Sequence, residues 1–382
     1  KIIITFDKIA PDALLTFTQF APVPKSEFEG IDPLQVQQAP FFQHPIGCGP
    51  FMVEEVNMKN YTILAPFDKY YNGVADFKIQ LLPSAGDSDP NVVTRAKSGN
   101  LDYGYTKMVA DVQALEGTPG ITVTPIDVRY TRLFYLNKFD KKDGSPAPLA
   151  DVRVRQALRY AIDMETICET LFQGSAVPAN ALAPDANLKG GDLNDYNYNP
   201  EKAKELLAEA NWDPNTVIKA VYYYTDQATV DLMTAVQAYL ADVGIKMEFE
   251  LVEGDLATIL WTAPADQTNG PRAVDWDICY AANAALSLHE YYDRYRTGSP
   301  TNSHTPEDAE LNRLIDATNA SADVNAQNEA FKELIKYENE NLFTMALYYQ
   351  PIFLITSDKI GDIQKGTPQF CINWDIQNWN VQ

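Results

Sequence analysis

Apolar positions along the chain change period several times, and each change marks an element. Met52 to Val56 and Tyr61 to Ala65 alternate as a hairpin across Asn57-Met58-Lys59-Asn60. Phe77 to Leu82 alternates as a strand, Asp89 to Ser98 reads as a short helix starting near Pro90, and Leu101 to Tyr105 reads as another strand. Upstream, Lys1 to Asp7 reads as a strand. The rest, to Phe51, reads as strand, loop and turn broken by Pro22, Pro24, Pro33, Pro40, Pro45 and Pro50.

The middle of the chain is more regular. Asp151 stands as N-cap before Val154, Leu158, Ala161 and Ile162, an apolar stripe at helical spacing. Asn199-Pro200-Glu201 opens a second helix with proline at its first position and Ala203, Leu206, Leu207 and Ala210 on one face. Thr216 to Tyr224 is β-branched and aromatic; a helical pattern follows from Ala228 to Val243, then a stop at Gly244 and a second strand from Ile245 to Val252. Strand, helix and strand in that order predict a right-handed βαβ unit with parallel strands. Pro306 to Thr318 and Val324 to Asn339 read as helices, the second capped by Asp323; Phe343 to Tyr349 and Ile352 to Ile355 read as strands. The organisation is mixed α/β without repeats.

Composition narrows the function by exclusion. With 52 acidic and 30 basic residues the net charge is −22, which leaves no ready basic face for nucleic acid. Hydrophobic residues at 46% and charged residues at 21% place the chain in the globular class. No apolar run reaches the roughly 18 residues that span a bilayer, and Lys1 to Asp7 holds no apolar run long enough for a secretory signal. Cys48, Cys168, Cys279 and Cys371 are widely spaced, which favours free thiols over a disulfide or metal motif. His44, His289 and His304 are scattered, and His289-Glu290 reads as a solvated pair. There is no G-x-S-x-G elbow, no phosphate-binding glycine loop and no metal cluster, and pairs such as Glu54-Glu55 and Asp87/Asp89 follow from the abundance of acids. The balance favours binding over catalysis, with no cofactor.

Four segments decide the class. His44-Pro45-Ile46-Gly47-Cys48-Gly49-Pro50-Phe51 resembles the P-x-G-T/S-G-P-F turn of the family 5 extracytoplasmic solute-binding proteins of ABC transporters, with Tyr70-Tyr71-Asn72-Gly73 where relatives have a Y-W pair. Asp151-Val152-Arg153-Val154-Arg155-Gln156-Ala157-Leu158, continuing to Ala161-Ile162-Asp163, is similar to that family's VRQAlxyAIDR signature. Gly174 with Pro178-Ala179-Asn180 resembles the loop after it, and Tyr198-Asn199-Pro200-Glu201-Lys202-Ala203-Lys204-Glu205-Leu206-Leu207 resembles its Y-D-P-E-K-A-K-x-L-L helix start. Trp276-Asp277-Ile278 resembles the strand before the ligand-binding residues.

The resemblance implies an α/β, periplasmic-binding-protein-like type II fold: two lobes with a ligand cleft, and lobe I incomplete because family members continue well before the point matching Lys1. The division expected is 1–30 as a remnant of the accessory part of lobe I, 31–129 with 351–382 as lobe I, and 130–350 as lobe II. The implied function is the extracytoplasmic component of an ABC importer, in the periplasm or on the cell surface as a lipoprotein. It is expected to be a monomer that captures a small peptide or peptide-like solute and delivers it to a membrane permease. Alternatives are an oligosaccharide or metal chelate in the same fold, or an enzyme such as a glycosidase or peptidase.

By position in the family pattern, the ligand-binding candidates are Thr106, Lys107, Tyr130, Arg132, Tyr280, Ala282, Asn283, Ser287 and Tyr349. Thr106 is expected to bond ligand backbone and Lys107 to face a carboxylate, or both belong to a solvated loop. Arg132 either clamps a ligand carboxylate in bidentate fashion or pairs with one of the many acids. Several peptide-binding relatives hold the ligand's ammonium with an aspartate. Leu286 is the nearest match here, and no acid stands between Asp277 and Glu290, which argues against a free-amino peptide mode. Tyr222-Tyr223-Tyr224 reads as packing on helices and solvent.

Overall fold

The computed structural model describes residues 3–18, 21–57, 59–83, 89–126, 130–183, 188–190, 192–284, 287–361 and 375–382. In chain order, helix α1 (Ala13–Thr18) precedes strands β1 (Phe51–Asn57), β2 (Tyr61–Pro66) and β3 (Ile79–Leu81), helix α2 (Val92–Lys97), strand β4 (Tyr103–Thr106), helix α3 (Val109–Leu115) and strand β5 (Ile121–Ile126). Strand β6 (Tyr130–Leu136) is followed by helices α4 (Val152–Ala161) and α5 (Met164–Thr170), strand β7 (Val177–Pro178), helix α6 (Pro200–Glu209), strand β8 (Val217–Tyr222), helix α7 (Gln227–Asp242) and strand β9 (Lys246–Leu251). Helix α8 (Leu256–Trp261), strand β10 (Ile278–Ala284), helices α9 (Leu288–Asp293), α10 (Ala309–Thr318) and α11 (Val324–Asn341), and strands β11 (Thr344–Tyr349) and β12 (Ile352–Ser357) complete the set. The chain divides into two compact units: unit 1 is residues 1–15 with 128–351, and unit 2 is 16–127 with 352–382.

Unit 1 is built on a six-stranded sheet in the order β7-β11-β6-β10-β8-β9. The βαβ unit read from the sequence is present: β8 and β9 pair in parallel, α7 connects them, and Gly244 ends the helix region at φ 86°. β10 continues the parallel run beside β8, whereas β6 and β11 are antiparallel. Side chains alternate across each strand, so Phe134 and Leu136 pack with α4 to α7, while Leu133 and Tyr135 pack with α8 to α11. The sheet is thereby covered on both faces. The helices start where capping chemistry places them. Asp151 accepts from Arg153 N, Asn199 from Lys202 N and Asp323 from Ala326 N, each satisfying an orphan donor of a first turn.

Several ions are buried inside unit 1. Arg272 pairs with Asp277 at 2.6 Å, and Asp277 also accepts from Lys219 N at 2.8 Å. The Arg155 guanidinium donates to the carbonyls of Leu149, Ala150 and Asn341, and its burial lowers the pKa to about 10. Burial also pushes the Glu338 carboxyl up to about 8, near Lys138, whose ammonium donates to the carbonyls of Leu136 and Phe343.

Unit 2 is thinner. One sheet has the order β4-β12-β5, all antiparallel, with Val92, Ala96, Leu115 and Ile355 forming its described core; the other is the meander β1-β2-β3 with a bulge between Val53 and Glu55. Gly73, at φ 100°, leaves room for Asn378 Oδ1, which would lie 2.8 Å from a Cβ.

Two expectations need correction. Lys1 and Ile2 lie outside the described residues, and residues 3–10 form no strand: Ile3, Ile4 and Phe6 are exposed and find no ladder partner. Instead the segment is tied to unit 1 through Asp12, whose Oδ2 accepts from His289 Nδ1 at 2.8 Å and from the Ser287 hydroxyl. His289 is therefore no solvated partner of Glu290. Its Nε2 lies 3.1 Å from Thr318 O, so both ring nitrogens face acceptors, which favours the protonated ring. Burial opposes that charge, but the bonds to Asp12 and Thr318 outweigh it and raise the His289 pKa. Cys48, Cys168 and Cys279 are free thiols, the last two buried; Cys371 lies outside the described residues.

Candidate functional site

The antiparallel pairing of β6 with β10 and β11 brings several candidates to one edge of the unit 1 sheet. Tyr130 stands opposite Ala284, Thr131 opposite both Asn283 and Tyr349, and Arg132 opposite Ala282 and Tyr348. Because β8, β9 and β10 are parallel, this is also the edge where their carboxyl ends emerge. Open α/β sheets bind ligands outside such strand ends, where side chains converge without a covering helix. The chain enters and leaves unit 1 at the same edge, near Tyr130 and Tyr349. The side chain of Tyr130 lies outside the described residues.

On the α4–α7 face, the Arg132 guanidinium lies over the ring of Tyr224, 4.5 Å from its centroid, and is 7% exposed. Tyr224 meets Tyr280 edge-on at 5.7 Å. Tyr280 is fully buried and shares a 2.7 Å hydrogen bond with the Tyr348 hydroxyl, so its polar tip is turned into the core. Ala282 leaves space beside Arg132. The tyrosine run divides: Tyr222 is core, while Tyr223 and Tyr224 are half-buried at the edge, their hydroxyls 3.1 Å apart.

On the α8–α11 face stands Asn283, 6% exposed. Its Oδ1 accepts from the Tyr135 hydroxyl at 3.5 Å, and its buried Nδ2 has no partner. Burial pushes the Tyr135 phenol up to about 12 although Arg294, donating to its oxygen at 3.4 Å, pulls the other way. The Arg294 guanidinium lies 5.0 Å from the Trp261 ring centroid. The family pattern did not point to Arg294 or Trp261; both stand outside the quoted motifs, on short helices that only the fold brings together.

Other candidates have local structural work. Ser287 caps α9, accepting from His289 N at 3.0 Å while bonding Asp12. Tyr349 donates to the carbonyls of Ala181 at 2.7 Å and Ala183 at 3.2 Å, with Lys189 over its ring; it lines a pocket of about 530 Å³ shared with Arg159, Asn180, Lys189, Tyr196 and Tyr198. In unit 2, at the end of β4, the Thr106 hydroxyl donates to Asp111 at 2.7 Å and accepts from Met108 N at 3.0 Å, organising the start of α3. Lys107 beside it is buried rather than solvated. Among the described residues no group of three or more His, Cys, Asp or Glu is placed to hold a metal ion, and no helix is long and apolar enough to cross a membrane.

Comparison with known proteins agrees with this geometry. The chain is 28% identical over 252 residues to a protein of Brucella ovis named as an ABC transporter peptide-binding protein, covering 64% of this chain and 46% of that one. It thus spans about half the length of such curated relatives. Among solved structures, the substrate-binding protein CtaP of Listeria monocytogenes superposes with a TM-score of 0.80 at 18% identity, over 99% of this chain and 75% of that one. The oligopeptide-binding protein AppA of Bacillus subtilis, in complex with a nonapeptide, superposes with 0.72 at 18% identity, over 94% and 72%. These establish the two-unit α/β fold of solute-binding proteins. The profile of the bacterial extracellular solute-binding proteins, family 5, matches residues 1–305, and the chain belongs to that family.

Proposed function

We propose that this chain is the ligand-capturing part of an extracytoplasmic receptor for an ABC importer, binding a peptide or peptide-like solute and passing it unchanged to a membrane permease. The observation that carries the reading is the strand-end edge of unit 1, where Arg132 and the unspent amide of Asn283 face the position that open α/β sheets use for ligands. Family membership and the peptide-binding relatives support the same reading. The edge offers donors and aromatic rings, as a ligand rich in carbonyl acceptors requires; the Ser287 hydroxyl, 3.2 Å from His289 Nδ1, donates to Asp12 and caps α9. In this reading 31–129 with 351–382 and 130–350 act as the two lobes, and the receptor works as a monomer.

A free ligand ammonium has little to meet here. Asp226, which acts electrostatically on Tyr280, already accepts from Thr229 N and Thr229 Oγ1 in capping α7, and Asp12 is taken by His289 and Ser287. Native mass spectrometry of protein purified without refolding tests the reading: a co-purifying peptide series is the expected result, and a hexose ladder overturns it. In calorimetric titration with an acidic peptide from that series, Arg132→Ala is expected to weaken binding about tenfold; unchanged affinity removes Arg132 from the site.

A further inference from the structure

We propose that Asn283, Arg294 and Trp261 form a carboxylate subsite on the α8–α11 face of the unit 1 edge. This rests on the reading above and adds to it the group by which the solute is recognised. The three side chains meet through Tyr135. Arginine only donates, so the Tyr135 oxygen accepts from Arg294 at 3.4 Å, and the Tyr135 hydroxyl donates to Asn283 Oδ1 at 3.5 Å. In this arrangement Asn283 Nδ2 is a buried donor with no partner. Leaving such a donor unsatisfied is costly, and it persists in folded proteins where a ligand or water completes it.

Arg294 carries the matching feature. It is half-buried, its only hydrogen bond among the described residues is the one to Tyr135, and no described carboxylate pairs with it. The chain has 52 acidic residues, and neighbouring arginines have found theirs: Arg296 pairs with Asp316 and Arg313 with Glu310. Stacking on Trp261 holds the guanidinium plane while leaving its edge available, the arrangement that suits a planar two-oxygen acceptor. One carboxylate oxygen is taken by the guanidinium and the other by the Asn283 amide. The carboxylate comes from the chain end of a peptide-like solute or from an acidic side chain.

The test uses four probes by calorimetry, the peptides all N-acetylated: glutarate, tetra-alanine with a free C-terminus, tetra-alanine amide, and acetyl-Ala-Glu-Ala-amide. Arg294→Gln and Asn283→Leu are expected to weaken the carboxylate-bearing probes ten- to a hundredfold and leave tetra-alanine amide unchanged, with Arg294→Lys intermediate and unaltered melting confirming the fold. A loss for tetra-alanine but not for acetyl-Ala-Glu-Ala-amide assigns the subsite to the chain end; the reverse assigns it to a side chain. Peptides that bind alike as acids and amides, or equal losses for every probe, overturn the subsite while the peptide reading stands. Glutarate binding that depends on Arg294, with no peptide binding, overturns the peptide reading and keeps the subsite. No binding of any probe overturns both.

Discussion

Unit 1 and unit 2 draw on the same strands and short helices but solve burial differently. In unit 1 every central strand carries apolar side chains on both faces, and two large clusters fill the space under the helices. In unit 2 the described core is Val92, Ala96, Leu115 and Ile355, and no residue of β1, β2 or β3 is fully buried. Buried ionisable side chains gather in unit 1, at Arg272–Asp277, Arg155, Lys138 and Glu338, while Lys107 is buried in unit 2. The central strand of unit 2 is also buried on both faces, from Ile352 to Ile355, but the core around it is smaller and has less apolar area to lose.

The contrast can be broken by mutation, beginning with the largest effect. Asp277→Ala leaves Arg272 buried without its partner and is expected to cost about 3–5 kcal/mol, lowering the transition of unit 1 in scanning calorimetry. Leu115→Ala truncates one of the four buried residues of the α2–α3 cluster in unit 2 and is expected to cost about 2–4 kcal/mol, lowering a separate transition and leaving that of unit 1 in place. If both variants shift one common transition equally, the units melt as one and the contrast is lost. Asp151→Ala deletes the α4 cap at about 1 kcal/mol, measured by urea denaturation.

The smallest effect depends on pH. The folded pKa of His289 is raised above 6.5, so its contribution is complete below 6.5 and is lost as pH rises through the folded value. For Asp12, burial works against ionisation but bonds from His289 and Ser287 prevail, holding the carboxyl below 3.8; its contribution is present above 3.8 and is lost as pH falls through the folded value. The segment 3–15 is therefore held best between 3.8 and 6.5. Hydrogen exchange of amides beside Asp12, corrected for the intrinsic rise of exchange with pH, is expected to quicken above that window by roughly twofold to fivefold, in line with a single partly exposed ion pair; Asp12→Asn is expected to remove this excess pH dependence.

What the sequence discloses follows the range of the forces involved. Helices announced by a capping residue and an apolar stripe, at Asp151, Asn199 and Asp323, lie where the pattern puts them because cap and stripe act within a few residues. The parallel pair β8 and β9 is legible for the same reason, as one local crossover specifies it. Residues that meet only after the sheet is ordered are not. Asp12 and His289 are 277 positions apart, and the Arg294–Tyr135–Asn283 chain joins two strands and a short helix. The family pattern pointed to Asn283, Arg132 and Tyr280 and left Arg294 unmarked; the Tyr280 hydroxyl bonds that of Tyr348.

The position of β12 has a consequence for how the molecule is made. It is the middle strand of the β4-β12-β5 sheet, yet it is translated after nearly all of unit 1. On the ribosome, β4 and β5 must wait, unjoined, while the larger half forms around its own sheet. Nascent chains stalled before Ile352 should thus resist protease across unit 1 and be cut readily between Tyr103 and Ile126, with protection there arriving only once the last strand has cleared the exit tunnel.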